Sequence, residues 1–93
     1  MAEYDLAVRG GLVAGPFGAA RCDVGVRDGR IAALAERVTD AARVVEADGL
    51  LVLPGGVDAH CHIEEPSPDG TVHEESFATA SASAFAGGTT SVV

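Results

Sequence analysis

The chain opens on an alternation. In "YDLAVR", Tyr4, Leu6 and Val8 fall on one side of an extended backbone and Asp5, Ala7 and Arg9 on the other, the two-residue period of a half-buried strand over 4–9. The next run, "GGLVAGPFG" over 10–18, is rich in glycine around Pro16 and predicts a turn. Residues 22–27 and 30–35 read as two strands flanking Asp28-Gly29, residue types that accept positive φ at both centres of a tight hairpin. The segment "ALAERV" over 33–38 fits a short helix as well as the end of a strand, and periodicity does not decide between them. "VVEADGLLVLPGG" over 44–56 reads as a further strand pair, turning at Asp48-Gly49.

Beyond Pro54 the pattern changes. Residues 57–63 predict a strand, and Thr71 and Glu74 have the spacing of a capping box. Phe77, Ser81, Ala84 and Phe85 then share one face of a helix over 72–86, which Gly87-Gly88 should stop before a strand over 89–93. Strand, helix, strand in that order predicts parallel strands joined by a right-handed crossover, an α/β arrangement. A barrel of eight such units needs roughly 250 residues, so this 93-residue chain is expected to be the N-terminal part of something larger, with a β-rich part at 1–54 and the start of a second domain at 55–93.

Composition narrows the classes. With 47% hydrophobic and 22% charged residues the chain is that of a globular protein, and 12 glycines with no Trp point to a core of Val, Leu, Ala and Ile. The formal net charge is −8, and the six basic residues, Arg9, Arg21, Arg27, Arg30, Arg37 and Arg43, are scattered. Nucleic acid and anionic membranes need clustered positive charge, so neither is an expected partner. The N-terminus "MAEYDLAVRG" lacks the apolar stretch of a secretory signal, and the longest apolar run, "GLLVLPGGV", is broken by Pro54 and glycines. A cytoplasmic location with Cys22 and Cys61 as reduced thiols is the expectation.

The candidate chemistry lies in "GGVDAHCHIEEP" over 55–66. On an extended strand Asp58, His60 and His62 share a face while Ala59 and Cys61 take the other. Two imidazoles at i and i+2 can hold a divalent metal such as zinc, yet a catalytic metal needs a third protein ligand. The same pair can also serve as hydrogen-bonding groups in a polar core, and spacing alone leaves both readings open. Cys61 then reads as a small packing residue. Glu65, Asp69, Glu74 and Glu75 read as a solvated loop leading to a helix N-terminus.

"GLLVLPGGVDAHCHIEEP" resembles the N-terminal signature of the amidohydrolase superfamily, Pro-Gly-x-x-Asp-x-His-x-His, met here at Pro54, Gly55, Asp58, His60 and His62. "DGTVHEESFATASASAFAGGTTSVV" resembles the dihydropyrimidinase and hydantoinase branch, so the likeness spans essentially all 93 residues. It implies part of a small β-sandwich followed by the first β-α-β unit of a metal-dependent (β/α)₈ TIM barrel. It implies hydrolysis of cyclic amides, dihydropyrimidines or hydantoins, by a full-length homo-oligomer with two divalent metals, usually zinc, which activate water while an aspartate moves the proton. His60 and His62 match the histidines that hold the more buried metal, and Asp58 either orients a ligand or merely ends the strand in a polar group. The family's carboxylated lysine has no counterpart, because the chain contains no lysine, and His73 does not match the later histidines. Glu64 stands where dihydroorotases and allantoinases typically carry an arginine; a glutamate there disfavours an anionic substrate and favours an uncharged ring. An isolated segment of this kind is expected to be inactive. The alternatives are a non-catalytic amidohydrolase-like scaffold, or another amidohydrolase such as an allantoinase, a dihydroorotase or a deaminase.

Overall fold

The computed structural model describes residues 2–16, 18–61 and 77–93. Two compact units, Met1–Pro54 and Gly55–Val93, account for them.

The first unit is one sheet of five strands: β1 (Tyr4–Gly15), β2 (Gly18–Arg27), β3 (Arg30–Ala35), β4 (Ala41–Glu46) and β5 (Leu51–Val52). Strands β3, β2 and β1 are successive antiparallel neighbours, while β4 and β5 both run parallel to β1 along its other edge. The Asp28-Gly29 hairpin forms as its residue types predict, with φ of 54° and 73° and Arg27 opposite Arg30. The Asp28 N–H donates to Asp5 Oδ2 at 2.8 Å, tying the turn back to β1.

The turn expected over 10–18 is displaced. β1 runs through Gly10 and Gly11 to Gly15 before β2 begins at Gly18. Val8 pairs with Val24 and Gly11 with Cys22, so Arg9 and Gly10 together oppose the single residue Asp23, which makes a β-bulge with Gly10 at a φ of 76°. A glycine supplies positive φ to a bulge as readily as to a turn, and here the strand resumes because Leu12 and Val13 find a partner in β5.

The bulge also explains the second departure. Asp48-Gly49 does not join two strands that pair with one another. β4 lies along Tyr4–Arg9 and β5 along Leu12–Val13, so the chain must step past the kink in β1. It does so through a turn in which Leu50 N–H donates to Ala47 O at 2.9 Å and Gly49 has a φ of 80°. Ala47 N–H to Arg9 O at 2.7 Å and Leu12 N–H to Leu50 O at 3.0 Å pin it on either side of the bulge. The ambiguity at 33–38 resolves as strand to Ala35, followed by a bend at Glu36.

The core is made of small residues: Ala7, Val13, Val24, Val38 and Ala47 are buried. Gly11 allows the strands to close, since a Cβ there would lie 2.5 Å from Val52 Cγ2 and 3.2 Å from Ala47 Cβ. Asp23, only 6% exposed, is the buried polar residue among those described. Its Oδ1 accepts the Gly10 N–H at 3.0 Å and its Oδ2 the Val38 N–H at 2.8 Å. Burial pushes the Asp23 carboxyl up, but the Val38 and Gly10 N–H groups, with the charges of Arg9 and Arg37, outweigh it and hold the pKa below the usual carboxylate value.

The second unit contains β6 (Gly56–Asp58), α1 (Phe77–Ala86) and β7 (Thr89–Val92). β6 and β7 are parallel neighbours and α1 lies against β7, the β-α-β order read from the sequence. The glycine pair ends α1 as expected: Gly87 N–H donates to Ser83 O and Ala84 O, and Gly88 adopts a φ of 92°. Residues 72–76 of the expected helix, with Thr71, His73, Glu74 and Glu75, lie outside the described residues.

Candidate metal-binding segment

The segment that carries the histidines begins with a close approach. A Cβ on Gly55 would overlap the Thr90 side chain of β7, so packing requires the glycine of Pro54-Gly55. Gly56 N–H donates to Gly88 O at 2.8 Å, and at the other end of β6 Val93 N–H donates to Asp58 O at 2.9 Å. The stretch "AGGTTSVV" is therefore the scaffold on which "PGGVDAH" is laid out. Gly55→Ala is expected to lower the stability of this unit by about 1–3 kcal/mol through overpacking, read by urea unfolding against the unsubstituted chain.

β6 is shorter than the strand expected over 57–63. It ends at Asp58, and Ala59 and His60 form a bend. The Asp58 side chain produces that bend: its Oδ1 accepts the backbone N–H of His60 at 3.1 Å, a local closure that competes with the extended conformation. Asp58 and His60 therefore do not share the face of one continuous strand. His60 is exposed just past the end of β6. Cys61 is a half-buried free thiol whose Sγ lies 3.5 Å from Val93 O, so it meets the end of β7 as a packing residue would. His62, Glu64, Glu65 and Asp69 lie outside the described residues.

An exposed imidazole suits zinc or a similar borderline metal as one nitrogen donor. Among the described residues no group of three or more His, Cys, Asp or Glu side chains converges to complete a ligand set. His60, a residue of ligand type, thus sits on a turn whose backbone is held by Asp58. Among the described residues no helix is long and apolar enough to cross a membrane.

The strand-end histidine, the parallel β-α-β unit and comparison with known proteins together assign the chain to the amidohydrolase superfamily. No protein-family model matches it. It is 37% identical to a D-hydantoinase of Ralstonia pickettii over 89 residues, 96% of this chain and 19% of that protein. It is 41% identical to an allantoinase of Escherichia coli O1:K1 / APEC over 91 residues, 98% of this chain and 19% of the relative. A solved D-hydantoinase structure superposes with a TM-score of 0.87 at 35% identity, over 95% of this chain and 19% of that one. An N-acyl-D-glutamate deacylase from Bordetella bronchiseptica, complexed with zinc and a phosphonate inhibitor, is similar over 66% of this chain and 14% of its own, with a TM-score of 0.57 and 38% identity. The chain thus spans 19% of the length of the curated relatives it matches.

Proposed function

We propose that the chain is a segment of a metal-dependent hydrolase that opens cyclic amide rings, dihydropyrimidines or hydantoins, and that it contributes metal ligands to a site completed by other parts of a larger protein. Its five-stranded sheet would be one layer of a small β-sandwich over 1–54, and β6-α1-β7 the first unit of a (β/α)₈ barrel over 55–93. The observation that carries this reading is the likeness of nearly the whole chain to D-hydantoinase, with His60 standing just beyond the C-terminal end of a parallel strand. Barrel enzymes place their chemistry at that end.

In this reading His60 and His62 supply imidazole nitrogens to a divalent metal, zinc by preference, one of two in the complete site. The metals polarise the ring carbonyl and activate water when bound. Asp58 holds the backbone of His60 and so fixes where its ring starts from. Further ligands and the proton-transferring aspartate come from outside this chain, so the segment alone is inactive. The complete protein is a cytoplasmic homo-oligomer that binds neither nucleic acid nor membrane, in keeping with the net charge of −8 and scattered arginines.

Glu64 supports an uncharged ring as substrate, because a carboxylate near the substrate repels another. The complete enzyme is expected to open hydantoin or dihydrouracil with a kcat/KM at least about tenfold above that for dihydroorotate, measured by ultraviolet loss of the ring amide. The 41% identity to an allantoinase makes allantoin the second ring to assay. Nucleobase deamination without ring opening would favour a deaminase instead.

A further inference from the structure

The buried carboxylate of Asp23 has no part in the proposed chemistry, and its surroundings have a design of their own. It opposes the bulge in β1, where Gly10 loses a regular ladder partner, and it supplies the missing acceptor through Oδ1. Its other oxygen reaches out of the sheet to the N–H of Val38, in the connection 36–40 between β3 and β4. That connection is held from β1 as well. Arg9 Nε donates to Val38 O at 2.9 Å and its Nη2 to Thr39 O at 3.1 Å, and Tyr4 N–H donates to Asp40 O at 3.0 Å. Val38 is thereby buried, 3% exposed.

We propose that Asp23 is an acid-released latch: its ionised carboxylate closes residues 36–39 as a strap over the bulged part of the sheet, and protonation opens the strap while the β1-β2-β3 ladder stays paired. Protonation removes the charge from both acceptor oxygens, and a carboxylic acid offers its C=O as a good acceptor to only one of these two N–H donors while its own O–H needs an acceptor. The charged groups around the latch are Arg9 on β1, Glu36 and Arg37 on the strap and Glu46 on β4, all lining one polar cavity with Thr39. Arg9 and Arg37 favour the ionised latch. Protonation of Asp23 removes its attraction for Arg9 and Arg37 and its hold on the Val38 N–H, so the strap keeps only the two Arg9 hydrogen bonds to Val38 O and Thr39 O at this end. At its far end the strap remains tethered by Tyr4 to Asp40 through backbone groups that do not titrate.

Amide hydrogen exchange by NMR on the full chain, from pH 6 down to about pH 2, below the ordinary carboxylate range, tests this, with Asp23→Asn as comparison. Protection factors for the Gly10 and Val38 amides are expected to fall together as the latch protonates, by about tenfold or more beyond the loss that the global urea stability at the same pH accounts for, while the amides that pair β1 with β2 at 6–8 and 24–26 fall only by that global loss. In Asp23→Asn, which keeps one acceptor oxygen, at least one of the two amides is expected to exchange fast at pH 6 and neither to show the acid step. Equal loss across strap and ladder, or no loss at Val38, overturns the proposal. Should Asp23→Asn fail to fold, the acid titration of the unsubstituted chain decides on the same two criteria.

Discussion

Replacing His60 and His62 together with alanine is expected to strip the complete hydrolase of bound metal and to lower kcat for hydantoin opening by at least about 10³-fold, with the fold intact. The size follows from what is lost. A Lewis acid and the water it activates supply several kcal/mol of transition-state stabilisation, and each 1.36 kcal/mol is a factor of ten in rate. The fold should survive because His60 is exposed on a bend and the ladder between β6 and β7 is held by Gly56, Gly88, Asp58 and Val93 backbone groups. Metal analysis and circular dichroism on the double variant check both halves. Loss of metal with an unchanged spectrum is the expected pair of results, whereas full metal content would remove these histidines from the site.

The second large effect lies in the sheet. Asp23→Ala is expected to destabilise the first unit by about 2–4 kcal/mol, because it leaves the Gly10 and Val38 N–H groups unsatisfied in a buried position and Arg9 without its counter-charge. The pH dependence has a definite sign. The folded-state pKa of Asp23 lies below its unfolded value of 3.8, so the ionised form is favoured by folding. Its contribution is complete above the unfolded value and is lost as the pH falls through the lower folded one. Urea midpoints for the unsubstituted chain should therefore drop more steeply below about pH 4 than those of Asp23→Ala, whose curve lacks this contribution. Parallel curves would contradict the assignment.

Features specified by neighbouring residues were legible in the sequence. Asp28-Gly29 forms its hairpin because both residues tolerate the positive φ the turn demands, and Gly87-Gly88 stops α1 for a similar local reason. Where glycine or Asp-Gly could serve two ends, distant partners chose. Gly10 becomes a bulge because Asp23, thirteen residues on, accepts its N–H, and the same kink makes Asp48-Gly49 a step between two strands parallel to β1. The candidate site shows the same division. His60 was legible as a ligand type at a strand end, but the shared face of Asp58 and His60 assumed an extended backbone. The Asp58 side chain bends it by capturing the His60 N–H, a contact that residue spacing does not reveal. The signal was present in the residue type, since aspartate commonly closes such turns onto the N–H two residues ahead.

The most direct test of cyclic-amidase function is metal content per chain measured alongside hydantoin ring opening on the complete protein that contains this segment. About two metals per chain, with turnover lost on chelation and restored by zinc, is the predicted result. A metal-free protein that folds normally and leaves hydantoin, dihydrouracil and allantoin intact would contradict it, and would make the chain part of a non-catalytic scaffold with an amidohydrolase fold.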